Sequence, residues 1–168
     1  MESESARPAR KETPMDKTRP GSDELQRQSQ MVGEQCICYA ARKISRGITQ
    51  LYDHHLQAAG LRITQFTLLN AIAAFGSVQP GRLADELLMD RSSLTRNLQP
   101  LIKQQWVEYH VDAKDRRAKR LRLTAAGRAR LAAARPLWQA AQKDAERLID
   151  GQVLARLSRS FADAAAHA

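Results

Sequence analysis

Val107-Glu108-Tyr109-His110-Val111 alternates apolar with polar side chains, Leu121 and Leu123 alternate with Arg120 and Arg122, and the charged loop between reads Asp112-Ala113-Lys114-Asp115-Arg116-Arg117-Ala118-Lys119-Arg120. A period of two sends alternate side chains to opposite faces of a strand, so two such runs around a short polar loop predict a β-hairpin with one buried and one solvated face. Five of the nine residues from Asp112 to Arg120 are basic, which collects cations at the tip of a rigid ribbon. Such a tip can deliver a side chain into a narrow minor groove, where the potential is strongly negative. Arginine suits that groove because it is planar, always charged and weakly hydrated. Arg116, Arg117 and Lys119 are therefore candidate DNA contacts. Asp115 would repel phosphate if left alone, and we read it as a brace that orients a neighbouring arginine.

Just upstream the period is 3.6. Pro80 opens a short helix carrying Leu83, Ala84, Leu87 and Leu88, a tight turn at Met89-Asp90 follows, and Asp90 caps a further helix with Leu94, Leu98 and Leu101 turned inward. Helix, tight turn, helix is the helix-turn-helix pattern. The second helix of that motif places its first turns in the major groove. Here those turns read Arg91-Ser92-Ser93-Leu94-Thr95-Arg96. Leu94 faces the core, which leaves Ser92, Ser93, Thr95 and Arg96 to point outward. Serine and threonine are indifferent helix formers, so their clustering calls for a reason, and groove reading supplies one. An exposed polar helix start is the plainer alternative.

Outward from this centre, Thr64 is a candidate N-cap of a helix with Leu68, Ile72 and Phe75 on one face, closed by Gly76. Before it, Ile37, Ala41, Ile44, Ile48, Leu51 and His55 form one stripe that ends near Gly60. Residues 1 to about 31 are polar, broken by Pro8, Pro14, Pro20 and Gly21, and predict a disordered tail. After the hairpin, Thr124 caps a long helix with Leu131, Ala134, Trp138, Ala141, Ala145 and Leu148 on one side and Pro136 as a kink point. A final helix aligns Leu154, Leu157, Phe161 and Ala164. The apolar stripes outside residues 64 to 123 exceed what a small core needs and want a partner, so the reading is a mainly α fold with a small β-hairpin wing: tail 1–31, first dimerisation helix 32–60, winged helix-turn-helix 61–123, and C-terminal dimerisation helices 124–168.

The chain of 168 residues carries a net charge of +9, and the excess is local. Residues 1 to 90 hold 11 basic and 11 acidic side chains, whereas residues 91 to 131 hold 11 basic and 3 acidic ones, a net +8. A cationic segment of this kind favours a polyanion by releasing its counterions. No apolar run reaches the roughly 20 residues of a membrane helix, and the polar N-terminus lacks a signal-peptide core. We therefore expect a cytoplasmic protein that does not engage membranes. No nucleophile–base pair, phosphate-binding glycine loop or paired carboxylates stand in an informative context, so no catalytic residue, cofactor or metal is assigned and an enzyme is not expected.

Cys36 and Cys38 are the only cysteines, too few for a disulfide framework. On one helix they would diverge by about 200°, so only an intersubunit bond or a bridging thiophilic ion would use both. They are candidates for redox or effector sensing, with free thiols the plainer reading. His54 and His55 are adjacent and would diverge by about 100°; His55 completes an apolar stripe and reads as a core or interface histidine.

The order helix-turn-helix, then Asp115-Arg116-Arg117-Ala118, then Leu121-Arg122-Leu123-Thr124-Ala125-Ala126-Gly127 resembles the MarR family of bacterial transcriptional regulators. The similarity covers about residues 34 to 166, including the entry Leu61-Arg62-Ile63-Thr64-Gln65-Phe66, which adds Thr64 and Gln65 to the candidate DNA contacts. Pro100 within the reading helix and Gln105, where the family often has glycine, depart from the pattern. The resemblance implies a homodimer with intertwined terminal helices, bound to a pseudo-palindromic operator in double-stranded DNA at the bacterial nucleoid. It also implies repression relieved by a small effector, often an aromatic acid, or by thiol oxidation. A ligand pocket is expected between the dimerisation helices and the winged domain, lined from the first and second helices. Two alternatives stay open: a thiol- or metal-sensing regulator of the same fold using Cys36 and Cys38, and a low-specificity architectural DNA-binding protein.

Overall fold

The computed structural model describes residues 21–111 and 119–166. In chain order it contains α1 (Ser22–Gln35), α2 (Ile37–Leu56), a 3-10 turn (Gln57–Ala59), α3 (Ile63–Phe75), α4 (Pro80–Glu86) and α5 (Arg91–Lys103). The strands β1 (Val107–Val111) and β2 (Lys119–Leu123) follow, then α6 (Ala125–Glu146) and α7 (Gly151–Ala166). The chain divides into two units, with the boundary between Ile44 and Ser45. The mainly α architecture with one two-stranded hairpin is the one the periodicities predict.

In the first unit, residues 22–31 belong to α1 and are helical, where the sequence suggested an unstructured tail. Asp23 and Glu24 lie in the first turn, where they complement the helix dipole. Glu24 also pairs with Arg27 (3.0 Å) and accepts from Gln28 (2.9 Å), the one-turn contacts that support a polar helix. The helix breaks at Cys36, whose backbone is extended (φ −73°, ψ 109°).

In the second unit, the core gathers Tyr52, Leu56, Phe66, Leu69, Ile72, Leu83, Leu94, Leu98, Leu101, Val107, Leu121, Leu131 and Ala134. It therefore draws on α2, α3, α4, α5, both strands and α6. Gly60 closes the 3-10 turn in the left-handed region (φ +61°), a conformation that glycine adopts without steric penalty. The start of α3 differs from expectation. Its N-cap is Arg62, not Thr64, and the freed amides are met by side chains from two places. Gln65 Oε1 accepts from the Arg62 amide (3.0 Å), and Asp53 Oδ1 on α2 accepts from the Ile63 amide (2.6 Å).

β1 and β2 pair antiparallel in the register Val107↔Leu123, Tyr109↔Leu121 and Val111↔Lys119. The alternation holds only at the base of the ribbon. Val107, Leu121 and Leu123 are buried, but Tyr109 and Val111 are 45% and 54% exposed. Farther out the polar pair His110↔Arg120 is the better covered one, because the loop after α3 lies against it. Gly127 marks the closest approach behind the wing: a Cβ there would stand 2.0 Å from the Trp106 carbonyl oxygen. α6 runs through Pro136 as one helix, and Leu148, expected on its buried stripe, lies beyond its end and is exposed.

Candidate nucleic-acid interface

The helix-turn-helix is built from α4, the turn Leu87–Asp90 and α5. Pro80 occupies the first turn of α4, where its missing N–H has no helical partner to lose. Leu83 and Ala84 are buried. Leu88, expected to join them, is instead 58% exposed in the turn with φ +50°, a conformation that side chains with a Cβ avoid.

Asp90 caps α5 through one oxygen. Its Oδ1 accepts from the Ser93 amide (2.8 Å) and from the Ser92 hydroxyl (2.6 Å). The Ser92 hydroxyl, then Ser93, together hold the Asp90 carboxyl well below the usual carboxylate range. The capped helix buries Leu94, Leu98 and Leu101 and exposes Arg91, Ser92, Thr95, Arg96 and Gln99. Ser93 is half-buried and binds inward to the helix's own groups: its hydroxyl accepts from Arg96 (3.0 Å), and its carbonyl from Asn97 Nδ2 (2.9 Å). Thr95 donates its hydroxyl proton to the Arg91 carbonyl (2.8 Å), and its oxygen keeps the capacity to accept a further bond.

A groove of about 440 Å³ joins the start of α4, the first turns of α5 and the start of β2. Arg91, Thr95, Lys119 and Gln79 line it. Two of these, Thr95 and Lys119, are sequence-predicted contacts. Arg91 and Gln79 also line it, beyond the candidates the sequence supplies, and Arg91 at the head of Arg91-Ser92-Ser93-Leu94-Thr95-Arg96 has a charge that could signal it. Thr64 is exposed at the start of α3, and Gln65 has its side-chain oxygen in the helix cap described above. Asp115, Arg116 and Arg117, the expected wing tip, lie outside the described residues.

Several cations of the basic segment have work inside the fold. Arg120 donates through Nε to Ser77 Oγ (2.8 Å) and through Nη2 to the Ser77 carbonyl (2.7 Å). Arg122 pairs with Glu108 across the ribbon (2.7 Å). Arg128 donates to the Leu123 carbonyl (2.9 Å). Arg130 donates to the Ala59 carbonyl (2.7 Å) and lies over the Trp106 ring. The segment's long-range positive potential remains, but fewer of its side chains are free to meet phosphate than the charge map suggested.

The other expected sites fall elsewhere. Cys36 sits at the break between α1 and α2, and Cys38 is exposed on α2. The 200° divergence expected of two positions on one helix therefore does not apply to them. His55 Nε2 meets Asp144 Oδ2 at 3.1 Å, while His54 is exposed. Among the described residues no cluster of three or more His, Cys, Asp or Glu side chains could hold a metal, and no single helix is long and apolar enough to cross a membrane. A groove of about 330 Å³ opens between α3 and α6, lined by Phe66, Thr67, Asn70, Arg135, Trp138 and Gln139. The Phe66 and Trp138 rings stack with centroids 5.9 Å apart. The walls of this groove are α3 and α6, whereas the pocket expected from the sequence is lined from the helix over 32–60 and from the one after it.

Residues 59–118 match a model of the MarR family. The chain is similar to the transcriptional regulator MosR of M. tuberculosis, solved in complex with DNA, at 34% identity and a TM-score of 0.70. That alignment spans 79% of this chain and 98% of MosR. The chain belongs to the MarR family. A second MosR structure aligns at 31% identity and a TM-score of 0.68, over 81% of this chain and 99% of that one. A cysteine-to-serine mutant of MarR from E. coli, complexed with operator DNA, shares the fold at 21% identity and a TM-score of 0.67, over 79% of this chain and 96% of its own. No curated protein matches the sequence. As a MarR-family transcriptional regulator, this chain has α4 and α5 as its helix-turn-helix and β1–β2 as its wing.

Proposed function

We infer that this regulator binds a specific pseudo-palindromic DNA operator as a homodimer and represses transcription until a small effector binds. The observation that carries DNA recognition is the groove lined by Arg91, Thr95 and Lys119 from α5 and β2, with Ser92 exposed next to Arg91 on α5. Short hydroxyl side chains beside cations match a groove edge flanked by phosphates. The relatives solved with DNA support the same reading.

The dimer is supported by apolar side chains left open on the single chain. Leu154, Leu157 and Phe161 line one side of α7, and Leu25, Val32, Ile37 and Ile44 are exposed on α1 and α2. A monomer rarely leaves so many large apolar groups in water, and a C2 dimer presents two reading heads to two half-sites. Ligand response is supported by the groove between α3 and α6, where stacked rings stand beside the Arg135 guanidinium and the Asn70 amide. Those groups suit a small planar anion such as an aromatic carboxylate.

The test is a titration at physiological salt against the protein's own promoter and against a scrambled duplex. A regulator prefers the promoter by about 10³-fold or more. Equal affinities would instead indicate an architectural DNA-coating protein.

A further inference from the structure

We propose that Ser77 sets the position of the wing and is thereby a determinant of operator affinity. The proposal rests on the reading of α5 and the hairpin as the DNA-binding surface.

Gly76 ends α3 with φ +66° and turns the chain so that Ser77 and Val78 run along the outer edge of β2. Val78 and Leu121 exchange both backbone hydrogen bonds, at 3.0 and 2.8 Å. Both side chains are buried, so this bridge anchors the base of the ribbon. It fixes only one residue pair. Above it, where the hairpin leaves the core, the next attachment is Ser77. Its hydroxyl and its carbonyl take the Nε and Nη2 protons of Arg120. The same hydroxyl lies 3.2 Å from His110 Nε2, and His110 pairs with Arg120 across the ribbon. One serine therefore touches both strands at the same rung.

A two-stranded hairpin has little stability of its own, so its direction is set by the contacts made to its strands. Hydrogen bonds to a guanidinium are among the stronger ones, and their fork geometry fixes direction as well as distance. They span from a loop tied to α3 and α4 to a strand of the wing, so they set the angle between the hairpin and the helix-turn-helix. Tyr109 and Val111 on the other face are largely exposed and add little restraint. Ser77 and Arg120 are positioning residues: they act through the cations that the hairpin carries.

The experiment measures operator affinity over a salt series for the full-length protein, per folded dimer and well below its melting temperature. Ser77→Ala removes no charge, yet it should weaken binding by about threefold to tenfold. It should also reduce the salt slope, because a misaligned wing neutralises fewer phosphates. Ser77→Thr, which keeps the hydroxyl, should restore both. Arg120→Gln should weaken binding more than Ser77→Ala does, and adding Ser77→Ala to it should change nothing further. Ser77→Ala with wild-type affinity and slope would overturn the proposal, and so would a Ser77→Thr protein as weak as Ser77→Ala. Additive effects of the two changes would show that they act independently and would overturn the proposal as well. A wild-type protein that fails to prefer its promoter defeats the functional reading itself, which is a separate outcome.

Discussion

Gly127→Ala sets local propensity against tertiary packing, and the two predict opposite signs. Gly127 is the third residue of α6 and has no positive φ, so helix propensity alone predicts that alanine stabilises by about 1 kcal/mol. The added Cβ, however, would lie 2.0 Å from the Trp106 carbonyl oxygen and 2.8 Å from its carbon, against an ordinary contact of at least 3.4 Å. The obstacle is backbone, and it is held: the Thr124 amide donates to that same oxygen at 3.0 Å, and Arg130 lies over the Trp106 ring. Relief requires α6 to move off the base of the wing. That movement disrupts the Thr124–Trp106 bond and the cap from Thr124 Oγ1 to the Gly127 amide (3.0 Å), each worth about 1 kcal/mol. Overpacking adds about 1–3 kcal/mol. After the propensity gain, a net loss of about 2–4 kcal/mol is expected. Urea unfolding at fixed protomer concentration should show the midpoint falling by about 1 M or more. A midpoint equal to or above that of the wild type would show that the close approach does not exist in solution.

Gln105 has φ +56°, so Gln105→Gly should raise stability by about 0.5–1 kcal/mol, the relieved strain less the added chain entropy, in the same urea assay. Asp90→Ala should lower the melting temperature and Asp90→Ser should recover most of it, because serine also caps. The folded-state pKa of Asp90 is depressed, so its contribution is present above the ordinary carboxylate pKa and is lost as pH falls below that range; acid titration of wild type and Asp90→Ser should differ there. On the DNA side, Arg117→Ala should weaken operator binding by about 1–3 kcal/mol with the oligomeric state unchanged, measured by fluorescence anisotropy and sedimentation. Thr95→Ala should change which bases are selected from a randomised operator; uniform weakening would confine Thr95 to phosphate.

The sequence by itself determined the elements whose signals are local. Period, capping residue and turn chemistry placed α4, the Asp90 cap, α5, the hairpin and the Thr124 cap, because each depends on neighbours within a turn or two. The groove-facing candidates Ser92, Thr95 and Arg96 followed from the same periodicity, and they are exposed. Other features depend on contacts between residues far apart in the chain, and only the tertiary structure decided them. Asp53 supplies the cap of α3 from ten residues away, which no local motif announces. Arg120, one cation among many in a charge count, is bound to a serine 43 positions earlier. The alternation of β1 promised a buried Tyr109 and Val111, but burial is set by what lies opposite, and the loop after α3 covers the polar face instead. Gly127 carries the same lesson. Its place in Thr124-Ala125-Ala126-Gly127 was plain from the chain, but its necessity comes from a carbonyl 21 residues earlier that leaves no room for a methyl group.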